Sequence, residues 1–467
     1  MKPLSKDIPK GSIRELIPIA LPIFVSQAID VLMVFSDRFF LSRLSIEDLA
    51  ATLSGGILQY VFSTLVLGTM GQITALSSQY IGAKQKGKAI QTVYQGLILS
   101  FVFAPILILI SRTIAYPLFE FFGHEKSLLG KELEYYSILS FTIFTMSLRT
   151  TFASFFIGIG KTIIVTLASF SAVLINLPLT YALVFGKFGF PALGIKGAAL
   201  GTLIASMLPI IILSIYFYSK KIHGIYNTRI KLTLNVNLMK KLVRYGLPSG
   251  IEMMVNVSGF MFFTMVMYSY SADVAAATTI VLNWDMVSFI PLLGIGQAVG
   301  GQVGKYLGEG NKEIALKSAY SALILGVAYS ILVTILYISF THSFVSLFAP
   351  DYKLESFQNV LNFATVMLRI SCLYLFFDCI YTILGGILRG AGDTIWVMIV
   401  SNLAMWICAS IVYYSKNHLE LSPIGSWWML TGMVMSLGIL YAFRFFQKAW
   451  LNRLMIDIES SILPELE

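Results

Sequence analysis

The chain has 467 residues, of which only 12% are charged and 57% hydrophobic, with a mean hydropathy of +0.79 and a formal charge of +9. A charged share about half the ~25% of ordinary soluble domains excludes a soluble fold and describes an integral membrane protein. The positive balance does not point to nucleic acid, because the bases are scattered between apolar blocks instead of gathered on one face. Cys372, Cys379 and Cys408 lie in apolar runs with no CxxC spacing and no nearby His, so they read as small core residues and not as a disulfide framework or zinc site.

The N-terminal "MKPLSKDIPKGSIRELIPIALPIFVSQA" is basic and then apolar, but the apolar run is too long for a signal peptide and has no clear small-residue cleavage site. It is predicted as the first membrane helix. A window of about 20 apolar residues predicts eleven further spans. In chain order the twelve lie near 15–37, 49–80, 90–116, 133–157, 162–186, 194–219, 244–270, 274–304, 315–340, 356–386, 394–415 and 425–447. Barrel strands would show short alternating segments instead, so the fold class is all-α. A cytoplasmic N-terminus places most of the 33 Lys and Arg inside, among them Lys2, Lys6, Lys10, Arg14, Lys84, Lys86, Lys88, Lys220, Lys221, Arg229, Lys231, Arg389 and Arg444. Fewer fall outside, such as Arg38, Arg112, Lys187 and Lys353. The positive-inside rule therefore puts both termini in the cytoplasm of a multi-pass protein of the cell (inner) membrane.

The text is written twice. "QYIGAKQKGKA" at 79–89 returns as "KYLGEGNKEIA" at 305–315, "ALPIFVSQAID" as "GLPSGIEMMVN", "EDLAATLS" as "ADVAAATT" and "GIGKTIIVTLAS" as "GAGDTIWVMIVS". The organisation predicted is an N-lobe at 1–220 with spans 1 to 6, a basic cytoplasmic linker at 221–243, and a C-lobe at 244–467 with spans 7 to 12. Six spans per half give the repeats the same orientation, hence a parallel pseudo-twofold axis along the membrane normal. Two facing bundles enclose a cavity that opens to either side, which is the economical reading of the duplication.

Intramembrane ionisable residues mark function by default. Asp30 and Asp37 share a face of span 1, ~24 and ~34 Å along the helix from Arg14. By depth alone Asp30 looks the more buried, and Asp37 reads equally as an outer-boundary charge beside Arg38 or as a functional acid. Asp378 lies ~16 Å before Arg389, near the midplane, with Tyr374 one turn earlier. Glu252 and Asn256 are one turn apart on span 7, and Asp285 follows Trp284 in span 8. Arg149 and Arg369 are the bases within spans that are available to pair these acids.

These residues reach a family. "LPIFVSQAIDVLMVFSDRFFLSRLSIEDLAA", "GTMGQITALSSQYIGAKQKGKA", "INLPLTYALVFGKFGFPALGIKGAALGT" and "YLFFDCIYTILGGILRGAGDT" resemble the multidrug and toxic compound extrusion (MATE) transporters, NorM-like branch, over essentially the whole chain. The resemblance implies twelve helices in two lobes and export of cationic, often aromatic compounds against inward Na+ or H+, with no other cofactor. It implies that Asp37 is a coupling group, that Asn176 and Thr180 are polar site positions of span 5, and that Tyr374 and Asp378 form a cation site with Na+ as its candidate ion. One departure stands out: the family's span 7 carboxylate is Asn256 here, so Glu252 and Asp285 are candidate replacements. The expected partners are a small cationic substrate and the bilayer, and the chain is expected to work as a monomer. The alternative is a lipid-linked oligosaccharide flippase of the wider superfamily, which would want several bases in its cavity. ATP drive is unsupported, since "VGGQVGKY" lacks the glycine spacing and the final Ser or Thr of a phosphate loop.

Overall fold

The computed structural model describes residues 8–121, 126–348 and 357–457. Lys2, Lys6, Lys353 and both chain ends, on which part of the predicted orientation rests, lie outside them. Among the described residues there are fifteen α-helices, one short 3-10 turn and no strand: α1 Ile13–Leu41, α2 Ile46–Gly71, α3 Ile73–Gly82, α4 Lys86–Phe121, α5 Lys126–Leu139, α6 Thr142–Gly158, α7 Thr162–Phe185, α8 Ile195–Phe217, α9 Lys220–Tyr226, α10 Val236–Tyr268, α11 Ala272–Gly308, α12 Lys312–Ser346, α13 Gln358–Ala391, α14 Thr394–His418 and α15 Pro423–Phe446. Twelve spans long and apolar enough to cross a bilayer result, each overlapping its predicted counterpart. The second is α2 plus α3 and the fourth is α5 plus α6. Helix is the only spanning solution for such segments, because every backbone N–H and C=O must be satisfied within the segment itself.

Local chemistry sets the ends. Ser45, Asn311 and Ser422 cap α2, α12 and α15 through bonds from Asp48 N, Ile314 N and Gly425 N of 3.0, 3.1 and 3.1 Å. The repeated "GIGKT" and "GAGDT" fold alike: Gly160 N bonds Ile157 O and Lys161 N bonds Phe156 O, while Gly392 N bonds Arg389 O and Asp393 N bonds Leu388 O, with φ of 70° and 92° at the two glycines. That left-handed stop needs no side chain, which is why glycine recurs there.

The other doubled phrase brings its two copies together. A Cβ on Gly82 would run into the carbonyl of Lys305, and one on Gly308 into the carbonyl of Gln79, so α3 and the end of α11 press backbone to backbone in a reciprocal contact. Reciprocity of this kind is what a twofold relation between repeats produces.

Contacts divide the chain into two compact units. One contains the residues up to Leu21 with Val255–Val303 and Asn311–Arg453; the other contains Pro22–Met254, Gly304–Gly310 and the residues from Leu454 onward. The cuts fall inside α1, α10 and α11 rather than at the predicted linker, because long helices are continuous rods whose two ends pack on different neighbours. The unit that includes Pro22–Met254 has a core of Val66, Met70, Ile90, Ile143, Phe155, Phe156 and Phe217; the other is built on Phe263, Val281, Met367, Leu368, Ala409 and Trp427.

Candidate coupling site

In the unit that holds Pro22–Met254, Asp37 lies near the end of α1 and is 4% exposed, while Asn176 and Thr180 on α7 are fully buried. The motif "FGKFGFPALGIKGAALGT" explains the placement. Gly186, at φ 67°, ends α7, and α8 returns along it. A Cβ on Gly197 would meet the Leu183 carbonyl and one on Gly201 would meet Thr180, so the two glycines let α8 close onto α7. That approach delivers Thr202. Its hydroxyl donates to Asp37 Oδ2, and Asn176 Nδ2 donates to Thr180 Oγ1 at 3.1 Å and to Thr202 Oγ1 at 3.3 Å. Among the described residues, Asp37 Oδ1 and Asn176 Oδ1 are buried acceptors without a hydrogen-bond donor. Two such oxygens in one network carry a desolvation cost of about 1–3 kcal/mol each, which a bound proton or a hard cation would remove. Asp37 is buried and bonded to Thr202, and Arg38 beside it in sequence interacts with it electrostatically.

Asp30, two turns earlier, does something different. Arg149 Nη2 of α6 reaches both its carboxylate oxygens at 3.0 and 2.7 Å and also donates to Ser169 Oγ at 2.7 Å, which is 2.6 Å from Ser26 Oγ. Asp30 is thus half-exposed and paired, despite the depth suggested by counting along the helix. Of the two bases within spans, Arg149 is thus paired with Asp30, and Arg369 is exposed.

In the other unit, Tyr374 of α13 is 4% exposed and donates to Asp285 Oδ1 of α11 at 2.7 Å. The sequence placed Tyr374 with Asp378, one turn away, but its hydroxyl crosses to the neighbouring helix. Glycines again allow the approach: a Cβ on Gly386 or Gly390 would run into the carbonyl of Gly296 or Gly300. Asp285 and Asp378 lie within electrostatic reach of each other, and Asp378 makes no hydrogen bond or ion pair among the described residues. Ser288 Oγ bonds Asp285 O at 2.8 Å and Tyr337 OH bonds Trp284 O at 2.7 Å, which fixes this turn of α11. Asn256 is half-buried in this unit; Glu252 is buried and belongs to the unit ending its long segment at Met254. No group of three or more His, Cys, Asp or Glu side chains suited to a metal occurs among the described residues. Each site offers one or two carboxylates with neutral oxygens, which are hard donors.

Sequence reasoning missed Thr202. Its only signal was its place directly after the second glycine of "GAALGT", a helix-contact position.

Twelve apolar helices with carboxylates buried between them define a membrane transporter of two homologous helix sets. The chain belongs to the MatE family, whose model matches residues 22–182 and 248–414. It is similar to a probable multidrug resistance protein NorM of Burkholderia pseudomallei, 30% identical over 441 residues and 92% of each chain. A probable multidrug resistance protein NorM of Thermotoga maritima is 24% identical over 453 residues, 96% of this chain and 95% of that one. The fold matches that of a MOP superfamily transporter from Pyrococcus furiosus, with a TM-score of 0.84 at 18% identity, covering 96% and 98% of the two chains. It also matches a eukaryotic MATE transporter, with a TM-score of 0.83 at 20% identity, covering 94% and 96%.

Proposed function

We propose that the protein is a secondary antiporter that exports cationic, amphipathic drugs or toxic organic compounds in exchange for Na+ or H+ by alternating access. The observation that carries this reading is the buried Asp37 network, in which two acceptor oxygens lack donors among the described residues. An anionic group in a dry site binds the coupling ion, and a cationic substrate competes for the same charge, so occupation by one excludes the other. The NorM names of the relatives support a drug substrate. The pairing of Arg149 with Asp30 weighs against the oligosaccharide flippase, since it consumes a base that would hold a pyrophosphate. Asp285, Tyr374 and Asp378 form the second cation site, with Asp285 supplying the acid that Asn256 lacks and Tyr374 and Asp378 as the Na+ ligands first expected. The two lobes are the sequence repeats 1–220 and 244–467, the working unit is a monomer, and both termini are cytoplasmic in the inner membrane.

Everted vesicles carrying the protein test the function: dye uptake should follow an imposed Na+ or H+ gradient and collapse when that gradient is dissipated. Uptake indifferent to both gradients would refute antiport. Orientation is tested with Gly224→Cys, an exposed position where an added Cβ meets nothing within 4 Å. A membrane-impermeant thiol reagent should label it in everted vesicles and not in intact cells; the opposite pattern would invert the topology.

A further inference from the structure

The segment between α9 and α10 is not a slack tether. Residues 227–235 carry no helix or strand, yet they are tied along α4 by side chains: Tyr94 OH donates to Thr228 O at 2.8 Å, Gln95 Nε2 donates to Thr233 O at 3.0 Å, and Asn235 N donates to Gln95 Oε1 at 3.0 Å. Thr228 is fully buried beneath this strap. Between the strap, α4 and the end of α8 lies a groove of 690 Å³, within the ~300–1,000 Å³ of small-ligand sites, and lined by Leu97, Ile98, Phe101, Val102, Tyr218 and Arg229.

Its two ends differ in chemistry. Down α4 the wall is apolar and open, with Phe101 63% and Val102 56% exposed, and the strap continues the same apolar surface with Leu232 at 60% and Leu234 at 61%. At the other end Arg229 is exposed; one Nη2 donates to Tyr218 O at 3.0 Å, and it makes no ion pair among the described residues. Lys220, Lys221 and Lys231 lie close to it in sequence, and no Asp or Glu occurs between Lys220 and Glu252. An apolar groove along a spanning helix, with the Arg229 guanidinium at its head, is complementary to one kind of molecule: an acyl chain carrying an anionic headgroup.

We propose that this groove seats an anionic phospholipid of the cytoplasmic leaflet, with its phosphate on Arg229 and an acyl chain along Leu97, Ile98, Phe101 and Val102. The lipid would fasten the strap, and hence the connection between the sequence repeats, to the membrane surface. The proposal takes its leaflet from the orientation proposed above but stands apart from the drug-exchange reading, because its readout is lipid binding by the purified protein and needs no transport.

The full chain in detergent, titrated with phosphatidylglycerol and separately with phosphatidylcholine, should retain the anionic lipid preferentially by native mass spectrometry and melt at a higher temperature in its presence. Arg229→Gln should weaken phosphatidylglycerol binding about fivefold, the equivalent of the ~1 kcal/mol contributed by one basic group at an anionic leaflet. Val102→Trp, which crowds the groove while leaving every base in place, should weaken it too. Both positions are exposed, so both variants should fold. Equal retention of the two lipids, an Arg229→Gln variant within twofold of wild type, or an unaltered Val102→Trp variant would each overturn the proposal. So would inorganic phosphate reproducing the melting shift, since the groove would then have no part in it.

Discussion

Thr202→Val removes one hydroxyl from a site otherwise left at nearly the same volume, which makes it the most direct probe of the Asp37 network. In the native site this hydroxyl donates to Asp37 Oδ2, and it also accepts from Asn176 Nδ2 at 3.3 Å. A hydrogen bond to a charged acceptor contributes about 1.5–3 kcal/mol, and each ~1.4 kcal/mol is a factor of ten, so any step that requires Asp37 ionised should be disfavoured about 10- to 150-fold. The second bond, neutral and longer, adds ~0.5–1 kcal/mol at most. Gradient-driven dye exchange in everted vesicles, normalised to protein in the membrane, should therefore fall at least tenfold in Thr202→Val and remain within about threefold of wild type in Thr202→Ser, which keeps the donor. Asp37→Asn sets the floor and should abolish exchange with membrane insertion intact. Exchange in Thr202→Val equal to wild type, alongside an inactive Asp37→Asn, would show that the carboxylate works without the geometry described here.

In the second site, Tyr374→Phe should lower exchange about tenfold through loss of the 2.7 Å bond to Asp285, and Asp378→Asn should lower it strongly; the Asp285→Asn, Asp378→Asn double variant should be little worse than Asp378→Asn, and additive losses would mean that the two acids serve separate sites. Asp30→Asn should keep most exchange activity but lower the melting temperature, because it strips the buried-side partner from Arg149 at a cost of about 1–3 kcal/mol; full loss of exchange at unchanged stability would make Asp30 a coupling group after all. Gly310→Ala should destabilise by about 1 kcal/mol, since φ is 74° with no atom within 4 Å of an added Cβ, whereas Lys84→Gly at the matching position, where φ is 59°, should be neutral or stabilising. Chemical or thermal unfolding in detergent reads both, and the reverse order would remove the backbone explanation.

The amino-acid text by itself determined the number, order and approximate bounds of the spans, since a bilayer admits only continuous apolar helices and their length is set by its thickness. It also determined the duplication, because repeated stops such as "GIGKT" and "GAGDT" encode a local backbone turn that needs no distant partner. Asp37, Asn176 and Thr180 were each named from the family resemblance, Asp37 as a coupling group and the other two as polar positions of span 5, but not as one hydrogen-bonded group. Pairings across helices were not legible. Which oxygen Tyr374 meets, which acid takes Arg149 and why Thr202 faces Asp37 depend on how closely two helices approach and on their rotation about their axes. Those quantities are set by glycines such as Gly197, Gly201, Gly386 and Gly390, which act where no side chain intervenes between two backbones. A periodic pattern within one helix carries the face of that helix but not the identity of its neighbour. The strap over α4 is the same case, for nothing in "NTRIKLTLN" names Gln95 and Tyr94 as the groups that bind it, and only the folded chain brings them within hydrogen-bonding distance.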